Sequence, residues 1–579
     1  MSLAAPRNSP SVRAVPRPRH AGRARPWAWA AGLTLLSTGL YIAYLHLSQA
    51  YPENSDEANI LLMAADMAHG NLLLHGWSVS DVSFITTEMP QIALLTEMFG
   101  LRMGTAHIAA AMTYTLAVLT AMLLARGAAS EKAGAIRMLL ALAIMLAPQP
   151  GVGVFVLILS VGHIGTATPV MLTWLAVERC ARAQPGRRKG RPGGILLIGL
   201  LLAWALVADP LVIVIAVVPL ALVAVIRRQW WLLATGVAGY LLALGARALI
   251  SAAGGYVQRP VPFALSAPGL WLWHAQSTVD GLLAMFGAYV LPTPRQDGLD
   301  EAIAGLHLAS VALVGWAAVA TARGFFRRDS GRPGGDMICQ LLLVGVIANI
   351  GAFVTSTFAN ASALNTREVA PVLPFAAVLA ARTFGDRLAA GRLLARPARP
   401  PRPAARRAAA ALAAVTLGGY CLGLAIHAAA RPAPDPYAAV ERYLEGHHLT
   451  RGLGGYWQAS YITVDTGGAV TVRAVIGACL QPYLWEARPQ WYQPDSWHPA
   501  TFLLASTVPG YFRSYQPRAG SLRMLRKWYP RARLEVFGAT HRVAGTTAPD
   551  YLLHVYPADL MAQFSRLRAA LQTPTAPCS

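Results

Sequence analysis

Residues 51–71 read YPENSDEANILLMAADMAHGN and begin where the first long apolar run, residues 27–47, WAWAAGLTLLSTGLYIAYLHL, stops. That run is long and apolar enough to cross a bilayer. No small-residue cleavage site follows it, so it reads as an anchor and not as a signal peptide. Asp56 and Glu57 therefore stand at the lip of a membrane span, where they open a helix-patterned segment. A carboxylate held at the membrane surface beside apolar helices can gain proton affinity and a fixed orientation, the properties a general base needs when one substrate is a lipid. The plainer reading is a helix cap, because Ser55, Asp56 and Glu57 all favour a helix N-terminus whatever the chemistry nearby.

Composition carries the same message outward. Of 579 residues only 13% are charged, against about 25% in soluble proteins, and the mean hydropathy is +0.43. The chain is polytopic. Its net charge of +22 comes from Arg clusters between apolar runs, without the interleaved aromatics of a base-stacking surface, so it marks membrane topology and excludes a nucleic-acid partner. Residues 1–26 carry six Arg with no acidic residue and read as a disordered, basic cytoplasmic N-terminus. The next segment, 48–104, holds a single basic residue, Arg102, and is the first outer loop; 251–301 is the second. Between them the apolar pieces are short. Pro148, Gln149, Pro150 and Gly151 interrupt one, and GHIGTATP at 162–169 interrupts another. Polar, broken backbone at membrane depth is tolerated only where protein or a water-filled cavity surrounds it, which predicts an outer-facing cavity.

The audit of basic flanks gives about eleven transmembrane helices over residues 27–430, with the N-terminus cytoplasmic and 431–579 outside. No internal repeat is evident, which weighs against a transporter built from duplicated halves. The tail is polar and aromatic, with strand-like alternation in SYITVD, AVTVRAVI and TFLLAS, and reads as an α/β extracytoplasmic domain. Cys180, Cys339 and Cys421 lie in or beside spans; an extracytoplasmic tail permits a Cys479 to Cys578 disulfide but nothing requires it.

An amino-terminal span, an outer loop with Asp-Glu opening DEANILLMAADMAHGN, broken short spans, and a late outer loop with Arg before a Pro-containing span together resemble the class C (GT-C) membrane glycosyltransferase superfamily. Within it the chain is similar to the family 39-like branch of protein O-mannosyltransferases and lipid A aminoarabinose transferases, over residues 27–430. The resemblance implies inverting transfer of a sugar from a polyprenyl-phosphate donor to a cell-envelope glycan, lipid or protein at the outer face of the plasma membrane. On that reading Asp56 is the catalytic base and Glu57 positions it. A lipid phosphate leaving group needs an outer cation, and Arg367 in LNTREVAPVLP offers a planar fork for it; otherwise Arg367 snorkels at the interface, paired with Glu368.

Three further residues are candidates for the donor phosphate or the sugar. Asp209, before Pro210, is an expensive charge at a span junction unless it faces a cavity or partner, or else a turn residue. His163 in GHIGT is a phosphate or metal ligand or a hydrogen-bonded core residue. Glu88 in TTEMP is a sugar contact or a cap. In the tail, Trp457, Trp485, Trp491 and Trp497 present flat faces for an acceptor sugar ring, or fill a small core. The sequence departs from the family where acidic residues are usual in the second outer loop and where the aminoarabinose transferases place a Lys-Pro-Pro-Leu-like stretch. With His163 alone in 149–168, no metal site and no cofactor is predicted. Two other readings belong to other classes: a transporter or lipid-glycan flippase with Asp209 and His163 on its path, and a catalytically silent glycan-binding membrane protein.

Overall fold

The computed structural model describes residues 24–562, apart from 160–161, 184–191, 292–297, 330–331, 391–402, 478–479, 494–498, 508–514, 544–545 and the single positions 260, 262, 327, 334, 361 and 518. Trp497 and the Cys479 to Cys578 pair lie outside the described residues, as does most of the N-terminal arm.

Among the described residues, five helices are long and apolar enough to cross a membrane alone: Trp29–Gln49, Met103–Arg126, Trp230–Ala252, Gly298–Phe325 and Met337–Thr355. All five lie within the stretch, residues 27–430, that reads as transmembrane. Two sharply bent pairs, Val152–Leu159 with His163–Ala183 and Ala363–Val369 with Val372–Ala389, bring the number to seven if each pair is one span.

 Shorter apolar helices, Pro192–Ala208, Ile213–Arg227 and Ala413–Ala428, occupy three more of the predicted positions. Pro210 explains why the first two are separate pieces: it lacks the backbone donor that a continuous helix needs there.

The interrupted stretch is satisfied from within. Gly151 adopts φ +85°, a conformation open to glycine, and its N–H donates to the Tyr51 hydroxyl at 2.9 Å. Gln149 exchanges two hydrogen bonds with the backbone of Tyr289, at 2.8 and 2.9 Å. Broken backbone is thus covered by protein, as its depth demands.

At the opposite end of the bundle, Arg382 fastens four elements. Its guanidinium donates to Glu178 at 2.5 Å, to Asp336 at 2.7 Å and to the Leu124 carbonyl at 2.7 Å, and the side chain is 4% exposed. These partners belong to His163–Ala183, to the cap of Met337–Thr355 and to Met103–Arg126.

The two long loops and the tail are stitched together by short strands. Ser78–Val79 of the first loop runs parallel to Val257–Gln258 of the second, and Ser78 forms an antiparallel bridge with Ala487 of the tail. The tail itself carries a six-stranded mixed sheet in the order Gln481–Pro482, Thr471–Ile476, Arg451–Gly454, Phe502–Ser506, Thr546–Val555, Arg533–Val543. AVTVRAVI and TFLLAS lie in two of these strands, but SYITVD does not. It belongs to helix Tyr456–Asp465, in which eight residues are buried. Burial on nearly every side hides the helical period, leaving a β-rich composition that misleads. This helix packs on Ser55–Ala68, the helix opened by the first-loop motif.

Removing Arg382 takes from Asp336 its ion-pair partner, leaves Glu178 with Arg182 alone and deletes charge-assisted hydrogen bonds worth about 1.5–3 kcal/mol. Arg382→Ala is therefore expected to lower the unfolding temperature of the purified protein in detergent by several degrees, and an unchanged melting curve would refute the clamp.

Candidate active site

Helix Ser55–Ala68 begins with a capping box: the Asn54 side chain accepts from the Asp56 backbone N–H at 2.7 Å, while Glu57 accepts from the Asn54 N–H at 3.1 Å. The two adjacent carboxylates thereby separate. Glu57 turns inward and is 2% exposed. Asp56 points outward into a cleft of about 460 Å³, counting its open mouth.

Two distant residues hold Asp56 there. The Tyr456 hydroxyl, from the tail, donates to Oδ1 at 2.5 Å, and Arg367 donates to Oδ2 at 3.3 Å. Asn59, one turn along, donates to the same Tyr456 oxygen at 3.1 Å. Arg367 and Glu368 sit on the 3₁₀ turn Ala363–Val369, where successive side chains point about 120° apart. They accordingly do not pair. Arg367 faces Asp56, and Glu368 reaches Nε2 of His163 at 2.7 Å.

His163 is held on both sides, since its Nδ1 lies 2.6 Å from Asp209. The ring borders the cleft, but neither nitrogen is left for a phosphate or a metal ion. Asp209 is fully buried, with further hydrogen bonds from Thr166 at 2.8 Å and the Leu211 N–H at 2.8 Å. A carboxylate so completely satisfied positions His163 and Glu368 and has no direct access to the cleft. Glu88 is also buried, against Gly165, where a Cβ would collide with its carboxylate. Burial pushes it up to about 7.

Of the tryptophans, Trp485 lines the cleft. Trp491 is sandwiched between the Arg473 guanidinium, 3.6 Å from its ring centre, and Trp77, 5.1 Å away. Trp457 packs edge-on against Tyr456 and Tyr515. Trp491 thereby joins the tail to the first loop, Trp457 packs within the tail, and of the three only Trp485 lines the cleft.

The cleft also contains Ser80, Asp81 and Glu486, none of which stands in a recognisable motif. Burial raises Asp81 above the ordinary carboxylate range, and burial beside Asp56 raises Glu486 well above it. Tyr456 stood within a tail segment with no recognisable chemical spacing. Only the proximity of Glu368 to Arg367 in sequence offered a signal.

No protein-family model matches the sequence, and none of the curated proteins does either. Two solved structures share its fold over nearly the whole length. The crystal structure of ArnT from Cupriavidus metallidurans bound to undecaprenyl phosphate superposes with a TM-score of 0.51 at 14% identity, covering 94% of this chain and 100% of that one. The apo state of the same protein gives 0.50 at 14% identity, covering 92% and 99%. The chain thus shares the overall fold of ArnT.

Burial, and then the neighbouring Asp56, push Glu57 from 4.5 up to about 8. Its carboxyl is protonated in both folded and unfolded chains at low pH. Between these two values unfolding releases its proton, so the folded state loses stability as pH rises. Glu57→Gln keeps an acceptor for the Asn54 N–H and removes the titration. Its unfolding temperature is expected to fall less steeply than that of the wild type between about pH 5 and pH 8; identical slopes would rule out Glu57 as a contributor.

Proposed function

We propose that this chain is a glycosyltransferase that moves a sugar from a polyprenyl-phosphate donor to a cell-envelope acceptor, with inversion, on the outer face of the plasma membrane. The observation that carries the reading is Asp56, exposed to a cleft, opposite Arg367, in a fold shared with a protein crystallised bound to undecaprenyl phosphate.

Arg367 supplies the cation for the donor phosphate. Its side chain is 38% exposed and only one of its nitrogens engages Asp56, at 3.3 Å, so a phosphate entering the cleft can recruit the fork bidentately. Recruitment frees Oδ2 of Asp56 while Tyr456 continues to hold Oδ1. The acceptor hydroxyl then attacks the anomeric carbon from the face opposite the phosphate. Asp56 takes its proton, the carbon–oxygen bond to phosphate breaks, and the lipid phosphate departs with the electron pair. Glu57 supports the geometry through the helix start. His163, Asp209 and Glu368 brace the turn that carries Arg367, and Trp485 offers a flat wall for a sugar ring. A flippase path through Asp209 and His163 finds less support, since both are saturated by one another and by Thr166 and Glu368.

Membranes containing the wild type and radiolabelled polyprenyl-phosphate sugars are expected to label envelope material, with one donor consumed. Asp56→Asn at matched abundance should reduce the rate about 10²- to 10⁴-fold; equal labelling by the variant would remove Asp56 from the mechanism. Tyr456→Phe keeps the ring among Tyr483, Tyr515 and Trp457 while deleting a hydrogen bond to a charged group, which corresponds to about a 10- to 100-fold lower rate. A wild-type rate in that variant would show that Asp56 needs no second anchor.

A further inference from the structure

Away from the cleft, at the other end of helix Tyr456–Asp465, three carboxylates converge. Asp435 follows the last membrane helix, Glu441 lies on Ala438–Gly446, and Asp465 closes the helix whose first residue is Tyr456. One oxygen from each lies within 4.8 Å of the others. We propose that Asp435, Glu441 and Asp465 bind a hard divalent cation of the size of calcium, which fastens the start of the tail to the helix that carries Tyr456.

The spacing is that of a single ion's coordination sphere. Calcium takes oxygen ligands at roughly 2.3–2.6 Å, so ligands on opposite sides of it stand about 5 Å apart. All three donors are carboxylate oxygens, which select calcium or magnesium over zinc or copper. Glu441 supplies the second, independent sign. It is 7% exposed, and its Oε1 is buried without a hydrogen-bond partner. A buried carboxylate with no donor is costly unless a cation neutralises it. Asp435 is oriented by the Tyr437 N–H at 2.8 Å, and Asp465 meets the backbone N–H of Met103 at the start of helix Met103–Arg126.

The ion would thus join the exit from the last span, the tail's first helix and the helix that presents Tyr456 to Asp56. Tyr437 and Tyr461 flank the cluster, with ring centres 4.9 Å apart. They serve as built-in antennae for terbium, a luminescent calcium mimic.

The test uses the full chain in detergent after chelation. Excited at the tyrosines, terbium should give a saturable signal that calcium displaces at lower concentration than magnesium. Calcium should also raise the unfolding temperature by several degrees over the chelated protein. Glu441→Gln, which keeps the shape of the side chain, should weaken terbium binding at least tenfold and abolish the calcium shift. The proposal is overturned if the wild type unfolds at the same temperature with calcium and with chelator, or if terbium binds the folded variant as tightly as the wild type. Displacement by magnesium at equal or lower concentration would refute the assignment of calcium. These readouts do not involve sugar transfer, so the site stands or falls apart from the proposed activity.

Discussion

Asp56 lies at the boundary of apolar helices, and residues far along the chain hold it there. Its two anchors stand 311 and 400 residues further along the chain. A carboxylate so placed cannot rely on bulk water for orientation; its lone pairs must be met by donors carried on rigid elements. The 3₁₀ turn Ala363–Val369 carries one donor and the tail helix Tyr456–Asp465 carries the other. The tail is therefore part of the cleft wall and not an appendage, a conclusion reinforced by the strand bridge between Ser78 and Ala487 and by Trp485 and Glu486 in the cleft.

The same constraint organises the interior. Charged groups inside an apolar bundle persist only in mutual company. Asp209, His163 and Glu368 form a chain of contacts at 2.6 and 2.7 Å, and Arg382 gathers Glu178 and Asp336 at the other end. The first chain braces the turn bearing Arg367. The second locks the helices from which that turn descends. Each removes an otherwise prohibitive charge while fixing a distance between helices that packing of Ala and Leu alone would leave loosely specified.

Much of this was legible in residues. The apolar runs marked the five long helices, and the Asp-Glu pair after the first run marked the start of a helix; the contact of Arg367 with Asp56 was not marked. Other features were not legible. Asp56 and Glu57 are neighbours with the same chemistry, and only the capping box sends one into the cleft and the other into the helix start. His163 and Asp209 were read as separate candidates, yet they are each other's ligands. SYITVD has strand composition but is wrapped on all sides, so its helical period is masked.

What the sequence by itself determined is the solvent of each segment and the kind of charge at each boundary, because transfer free energies act residue by residue and leave their record in local composition. The tertiary structure decided which charges meet. Tyr456 with Asp56, His163 between Asp209 and Glu368, and Asp435 with Glu441 and Asp465 are pairings across long separations. No local period encodes such meetings; they arise when buried polar groups have to find partners in three dimensions.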